Sequence, residues 1–248
     1  MRRTAGDWGK LSSHGGLVVV LSLLLLYVAG AGSAPSAAVV TSTRLILEPA
    51  EPASRQQLLH SGSVLQSRVR TQFPHEDVSL HWEVQGGRLV VTLPAEVPPD
   101  WLAHEAGQRG EFELVDGGTQ FLPLGRRVQS GPLPQPELGI YEVVLSAHHF
   151  VIATARMENG RPAVEFVLTP EGDSRLAAHT DHQRGYYLCI LVDEEVVNCP
   201  ILRTPLVSRR GVMELTGAAS LAHARRLAML MLSGPLPVSL RAVGATTN

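Results

Sequence analysis

The sequence predicts an α+β fold, with one N-terminal transmembrane helix followed by two mixed units in tandem. An apolar run near the N-terminus, GLVVVLSLLLLYVAGA, precedes a long stretch of ordinary hydrophobic content. In that stretch, branched apolar runs typical of strands alternate with runs at helical spacing, and the order β-α-β-β-α-β occurs twice. This is the order of the ferredoxin-like split unit, an antiparallel sheet with two helices on one face.

The N-terminal segment predicts export of the rest of the chain. Arg2, Arg3 and Lys10 precede the apolar run, and a basic flank stays in the cytoplasm. The run approaches the roughly 20 residues that cross a ~30 Å hydrocarbon core, while the small residues Ala29–Ala31 also suit a signal peptidase. Two interpretations stand, an anchor and a cleaved signal, and both place the remaining chain outside the cytoplasm. The predicted segments are a cytoplasmic N-terminus at 1–15, an anchor or uncleaved signal at 16–32 and a tether at 33–42.

The first ferredoxin-like unit is predicted at residues 43–118. Pro74 ends its first helix, and Gly86–Gly87 form a hairpin turn between two strands. Prolines precede Asp100 at the start of its second helix, where a missing N–H costs little. A last strand, Glu111–Val115, is expected to close the unit. Residues 119–162, which begin with a stretch rich in proline and glycine, are expected to be a connecting segment.

The second unit is predicted at residues 163–241, with a tail at 242–248. Thr169 and Ser220 are expected to cap its two helices, and an apolar hairpin turns at Asp193–Glu194. Gly234 ends the second helix. Pro237–Leu240 then closes the sheet as an edge strand, where a proline is tolerated.

Composition and motifs exclude several classes of function. A formal net charge of -2 offers no basic face for nucleic acid. His179 and His182 with the two cysteines do not have the spacing of a zinc knuckle, and no nucleophile elbow or oxyanion loop is recognisable. We therefore predict no metal, no cofactor and no enzymatic activity.

The cysteines Cys189 and Cys199 are a candidate disulfide, and the hairpin register decides whether they meet. If the loop has two residues, Cys189 faces Asn198. If the loop has three residues, the two cysteines face each other across the hairpin, and directly opposed residues can be bridged.

The second unit resembles the large extracytoplasmic domain of SecD, a membrane protein that assists the Sec translocase. The resemblance is carried by VEFVLTPEG (164–172), YLCILVDEEVVNCP (187–200), RTPL (203–206), LTG (215–217) and LSGPLP (232–237). Upstream, SRVRTQF (67–73) with GGRLVVTLPAE (86–96) is similar to the first unit of that family. The family's Asp-Gly turn is replaced here by Asp193–Glu194.

This resemblance implies a membrane-anchored extracytoplasmic domain that assists Sec-dependent export by binding exported polypeptide or translocase components. Proton conduction is not expected, because the family's further membrane helices have no counterpart in this sequence. Binding is expected on exposed apolar surface or by strand addition. The predicted partner-binding residues are Arg209, Arg210, Gly211, Pro237 and Leu240. The alternative is a stand-alone binding or scaffold domain, derived from SecD, that has no role in export.

Overall fold

The computed structural model describes residues 42–74, 78–181, 185–202 and 208–247. The predicted segments 1–15 and 16–32 and all but the last residue of 33–42 lie outside them. The described residues form four α-helices: α1 (Arg55–Gln72), α2 (Pro99–Gly107), α3 (Pro170–Thr180) and α4 (Leu221–Ser233). The strands are β1 (Thr43–Pro49), β2 (His81–Gln85), β3 (Arg88–Leu93), β4 (Phe112–Gly118), β5 (Gln129–Ser130), β6 (Ile140–Tyr141), β7 (Val143–Ser146), β8 (Phe150–Glu158), β9 (Arg161–Leu168), β10 (Tyr187–Val192), β11 (Glu195–Asn198), β12 (Arg210–Glu214) and β13 (Leu240–Thr247).

The two ends of the described chain meet in one four-stranded sheet, which we call the base. Its order is β13-β1-β3-β2, and each neighbouring pair is antiparallel. Helices α1 and α2 bury apolar residues such as Leu65 and Leu102 against Leu47 and Leu89 of the sheet. The base therefore has the order β-α-β-β-α-β, but its last strand comes from the C-terminal end of the chain.

Residues 111–233 are inserted between α2 and β13, and we call this insertion the head. It contains two antiparallel sheets, with the orders β11-β10-β4-β7 and β12-β9-β8. A shared core joins the two sheets to both helices, with Leu176 of α3 and Leu230 of α4 packed among Phe112, Phe150 and Ile190. The sheets of the head thus depend on each other for burial.

The predicted tandem arrangement is wrong in its strand pairing. The strand predicted at Glu111–Val115 to close the first unit is β4, which pairs with β10 and β7 in the head. The expected tail, 242–248, instead supplies most of β13, and the connecting segment 119–162 supplies β7 and β8. The local pattern identified β4 as a strand, but apolar periodicity does not state which distant strand will be the partner.

The helix caps form as predicted. Thr169 Oγ1 accepts a hydrogen bond from Gly172 N at 3.0 Å. Ser220 caps α4 through a reciprocal capping box with His223. These caps fix where the helices of the head begin.

The β10–β11 hairpin contains a bulge, so it combines a two-residue loop with the register that a three-residue loop would give at the cysteines. Its loop has two residues, since Val192 pairs with Glu195, but Ile190 pairs with Asn198 rather than Val197. One extra residue on β11 shifts the pairing by one position. This shift places Cys199 opposite Cys189, the arrangement that a three-residue loop would otherwise have produced.

The hairpin turn itself carries backbone strain. Asp193 and Glu194 have φ values of 50° and 68°, in the left-handed region that costs an L-residue about 1–2 kcal/mol. Asp193 is compensated, because its carboxylate accepts hydrogen bonds from Gly110 N (3.0 Å) and Glu111 N (2.9 Å). The side chain of Glu194 forms an exposed ion pair with Arg127, at 3.0 Å.

We predict that Glu194→Gly raises the free energy of unfolding by about 0.5–1 kcal/mol, because glycine relieves the strain and an exposed ion pair contributes little. Chemical denaturation would measure the change. The matched control is Glu195→Gly, one residue later within β11, which is expected to destabilise the protein. A loss of stability in Glu194→Gly would contradict the strain assigned to this turn.

Candidate functional site: the base–head junction and the surfaces of the head

A buried arginine holds both chain crossings between base and head. Arg68, on the inner face of α1, is fully buried. Its guanidinium donates to the carbonyl oxygens of the outgoing crossing at Glu105 (2.7 Å), Gln108 (3.2 Å) and Arg109, and to that of Gly234 (3.4 Å) on the return. One side chain thus satisfies carbonyl groups on segments more than a hundred residues apart in sequence.

The same junction contains a buried carboxylate shared by two arginines. Glu105 Oε2 lies 3.8 Å from Arg68 Nη1, and Glu105 Oε1 lies 3.2 Å from Arg226 Nε of α4. Arg226 also donates to Gln108 Oε1. Glu105 and Arg68 belong to the base and Arg226 to the head, so this charge network joins the two parts directly.

Burial changes the electrostatics of Arg68. Desolvation lowers the pKa of its guanidinium to about 10, opposed by the charge of Glu105. The group stays charged at neutral pH, as its carbonyl contacts require. Gly110 has φ +67°, and a Cβ there would collide with the Arg68 guanidinium and with Leu230. Glycine is therefore required where the chain enters the head.

Sequence reasoning did not find this junction. The available signal is positional: Arg68 continues the buried stripe of α1 that contains Leu58, Ser61 and Leu65, at the three- and four-residue spacing of one helix face. A charged residue on an inward face needs buried partners. The partners, however, are backbone carbonyls that no sequence motif marks.

The predicted partner-binding residues 209–211 lie in different environments. Arg209 is engaged within the head, since its Nε and Nη2 donate to Leu168 O at 3.1 and 3.0 Å. Gly211 packs against the ring of Phe166. Arg210 is exposed at the start of the edge strand β12, and Arg209 is exposed as well although its guanidinium is hydrogen-bonded.

The predicted binding edge at Pro237–Leu240 needs correction. Leu240 is 1% exposed and belongs to the base core. Pro237 lies before β13, and the edge strand is β13 itself, next to β1 in the base. The sequence predicted an edge strand here, but it identified neither the sheet to which the strand belongs nor the residues that face outward.

The head presents an apolar groove between the start of α4 and the β10–β11 hairpin. Its volume is about 280 Å³. Apolar walls and a polar rim are formed by Leu124, Val192, Val197, Leu215, Thr216, Ala218, Ala219, His223, Arg226 and Leu227. A groove with this lining suits an apolar side chain or a short apolar segment.

The cysteines and histidines occupy separate places. The sulfur atoms of Cys189 and Cys199 are in direct contact in the head, with Cα atoms 3.9 Å apart. His179 lies beside Asp116, with Nε2 and Oδ2 3.8 Å apart, and His182 lies outside the described residues. Within the described ranges, no cluster of three or more His, Cys, Asp or Glu side chains could hold a metal ion.

Comparison with known proteins identifies similar sequences. Residues 129–238 match the model of the SecDF P1 head subdomain. The chain is 28% identical to protein translocase subunit SecDF of Thermus thermophilus over 228 residues, and 36% identical to SecD of Thermobaculum terrenum over 100 residues. Over these regions the chain is similar to the SecD family.

Solved structures of SecDF agree in fold with this chain. A structure described as a membrane component SecDF that enhances protein export matches 81% of the chain and 98% of its own length, with a TM-score of 0.60 and 23% identity. SecDF in its super-membrane-facing form matches 83% of the chain, with a TM-score of 0.62 and 24% identity. At these identities the likeness concerns the fold alone.

The match covers only part of the relatives. The aligned region spans 30% of the Thermus thermophilus SecDF and 19% of the Thermobaculum terrenum SecD. None of the helices within residues 42–74, 78–181, 185–202 and 208–247 has the length and apolar character to cross a membrane.

We predict that Arg68→Met lowers the free energy of unfolding by about 3–5 kcal/mol, because it leaves Glu105 buried without one of its two cations and orphans several carbonyls. Arg70→Met, two residues along the same helix at an exposed position, is the matched control and should change stability by less than about 0.5 kcal/mol. Denaturant titration would measure both. Equal stabilities of the two variants would refute the role given to Arg68.

We also predict that Cys189 and Cys199 form a disulfide in an oxidising compartment. Closing a short loop with a disulfide stabilises a protein by about 2–4 kcal/mol, so reductant should lower the melting temperature measurably. Peptide mapping without reduction should recover the two cysteines in one linked pair. The Cys189→Ala/Cys199→Ala variant should show no response to reductant; a wild type that also shows none would disprove the bond.

Proposed function

We propose that this chain is an extracytoplasmic accessory of Sec-dependent protein export, which binds exported polypeptide or a translocase component through its head. The supporting observation is the open apolar groove at α4. All of its lining residues except Leu124 fall within residues 129–238, which match the P1 head subdomain. The relatives are named as protein translocase subunits, and a groove of this chemistry suits an unfolded apolar segment.

The proposal includes attachment to the membrane through residues 16–32, with the head and base outside the cytoplasm. It gives the described part of the chain a binding role and assigns it neither a catalytic step nor proton conduction. The contact with a partner would be made on the head, while the Arg68 junction holds the head on its base. The exposed apolar surface supports the binding role of the head, and the buried charge network supports the structural role of the junction.

Site-specific photocrosslinking in intact cells tests the proposal. A benzoyl-phenylalanine at Leu124, which is 44% exposed at the groove, or at Arg210 should yield adducts with translocase components or with exported chains. The matched control is the same group at Glu96, an exposed position of the base, which should yield few adducts. Adducts with only unrelated envelope proteins would favour the stand-alone binding or scaffold domain and overturn the export role.

A further inference from the structure

The strand edges of the head differ in whether other residues cover them. The outer edge of β11 is covered by residues 125–128, which exchange backbone hydrogen bonds with it, including Gly125 N to Val196 O (2.8 Å) and Val196 N to Arg126 O (2.9 Å). On β7, the carbonyls of Val143 and Val144 accept hydrogen bonds from Arg175 of α3, at 3.3 and 3.2 Å. The four-stranded sheet of the head is therefore protected at both sides.

The outer edge of β8 has no such cover among the described residues. β8 lies at the end of the order β12-β9-β8, and within the part of the chain that the structure describes its backbone pairs only with β9. Along this edge, Val151, Ile152 and Met157 are 52%, 50% and 52% exposed. Soluble proteins normally blunt such an edge with charges, proline or a covering loop.

The charge pattern of β8 points to the kind of segment that would fit. Val151–Ala155, VIATA, contains no charge. The next residue, Arg156, is neutralised by Glu158 and Glu165, at 2.9 and 3.0 Å. The edge thus offers an uncharged row of backbone donors and acceptors beside aliphatic side chains, which an uncharged apolar strand complements.

We infer that β8 is a strand-addition site for an extended, uncharged apolar polypeptide segment. Alternating backbone donors and acceptors can be satisfied in full only by another extended backbone, and the exposed aliphatic side chains would select apolar residues at alternate positions. Two other edge strands fit less well. On β12, Arg210 and Glu214 flank Val212, and β13 has one large exposed apolar residue, Val243, next to Gly244.

This inference rests on the proposed function, since an unfolded segment in transit would supply such a strand. It adds the acceptor strand and the chemistry of the substrate, which the groove at α4 does not specify. Strand addition gives affinity through main-chain hydrogen bonds, so it tolerates many sequences. That property suits a binder that must accept unrelated exported chains.

The test uses the full chain and a fluorescein-labelled heptapeptide of alternating threonine and valine. The matched peptide carries proline at its central position, where the missing N–H breaks the ladder. Fluorescence anisotropy should show binding of the first peptide and at least about tenfold weaker binding of the second, which corresponds to about 1.4 kcal/mol. Amide exchange should slow within residues 151–157 when the first peptide binds.

Protein variants distinguish peptide binding at the β8 edge from nonspecific apolar binding. Ile152→Lys and Thr154→Lys place a charge on the edge and should weaken peptide binding at least about tenfold. Val212→Lys, on the opposite edge of the same sheet, is the control and should leave binding within about twofold. Equal binding by Ile152→Lys and wild type would overturn the inference. Self-association through β8 without peptide binding would also overturn it, because the occupant would then be a second copy.

Failure of this inference and failure of the proposed function give different results. If Ile152→Lys binds the peptide normally while Leu124 still crosslinks to exported chains in cells, strand addition is wrong and the export role stands. If the peptide binds at β8 but crosslinking recovers no export component, the edge is a polypeptide acceptor that serves another process.

Discussion

The architecture depends on one buried cation. Arg68 donates to carbonyls on the segment that leaves the base and on the segment that returns to it. A buried guanidinium loses its hydration, and this cost is offset only if nearly all of its donors are satisfied. The carbonyls at the two crossings meet this need because helix α2 ends at Gly107 and helix α4 ends at Ser233, and helix ends leave carbonyls unpaired. The arginine therefore both requires and enforces the close approach of the two crossings.

This constraint explains why a long insertion can interrupt a small sheet without separating its parts. β1 and β13 are neighbours in the base although the whole head lies between them. Closing so long a loop is opposed by chain entropy, which grows only slowly with loop length. The compensation comes from the head's own core and from Arg226, which extends from α4 to Glu105 in the base. The junction thus couples the stability of the head to that of the base.

Local structure could be predicted from the sequence, and pairing could not. Thr169 and Ser220 marked helix starts because a hydroxyl next to the first turn satisfies an unpaired backbone N–H. β4 was located but given the wrong partners, because its apolar pattern suits any half-buried sheet. The one-residue bulge that brings Cys199 opposite Cys189 depends on how β11 packs, and a shift of one residue reverses every facing side chain. Of the candidate surface residues, Arg209 and Arg210 are exposed, whereas Leu240 is buried in the base core, which the sequence did not indicate.

The contrast between protected and open edges ties this fold to its proposed role. A protein that binds unfolded polypeptides must avoid pairing with a second copy of itself while staying able to pair with other chains. Residues 125–128 cover β11, and Arg175 covers β7, so these two edges are not available for pairing with a second copy. The bulge at Val151 in β8 limits flat edge-to-edge stacking, because a bulge increases the local twist. A twisted edge still accepts a flexible segment that can follow it, but it fits poorly against a second rigid copy of itself. Selectivity for unfolded chains over folded neighbours would then follow from the shape of the strand, with no need for a sequence-specific pocket.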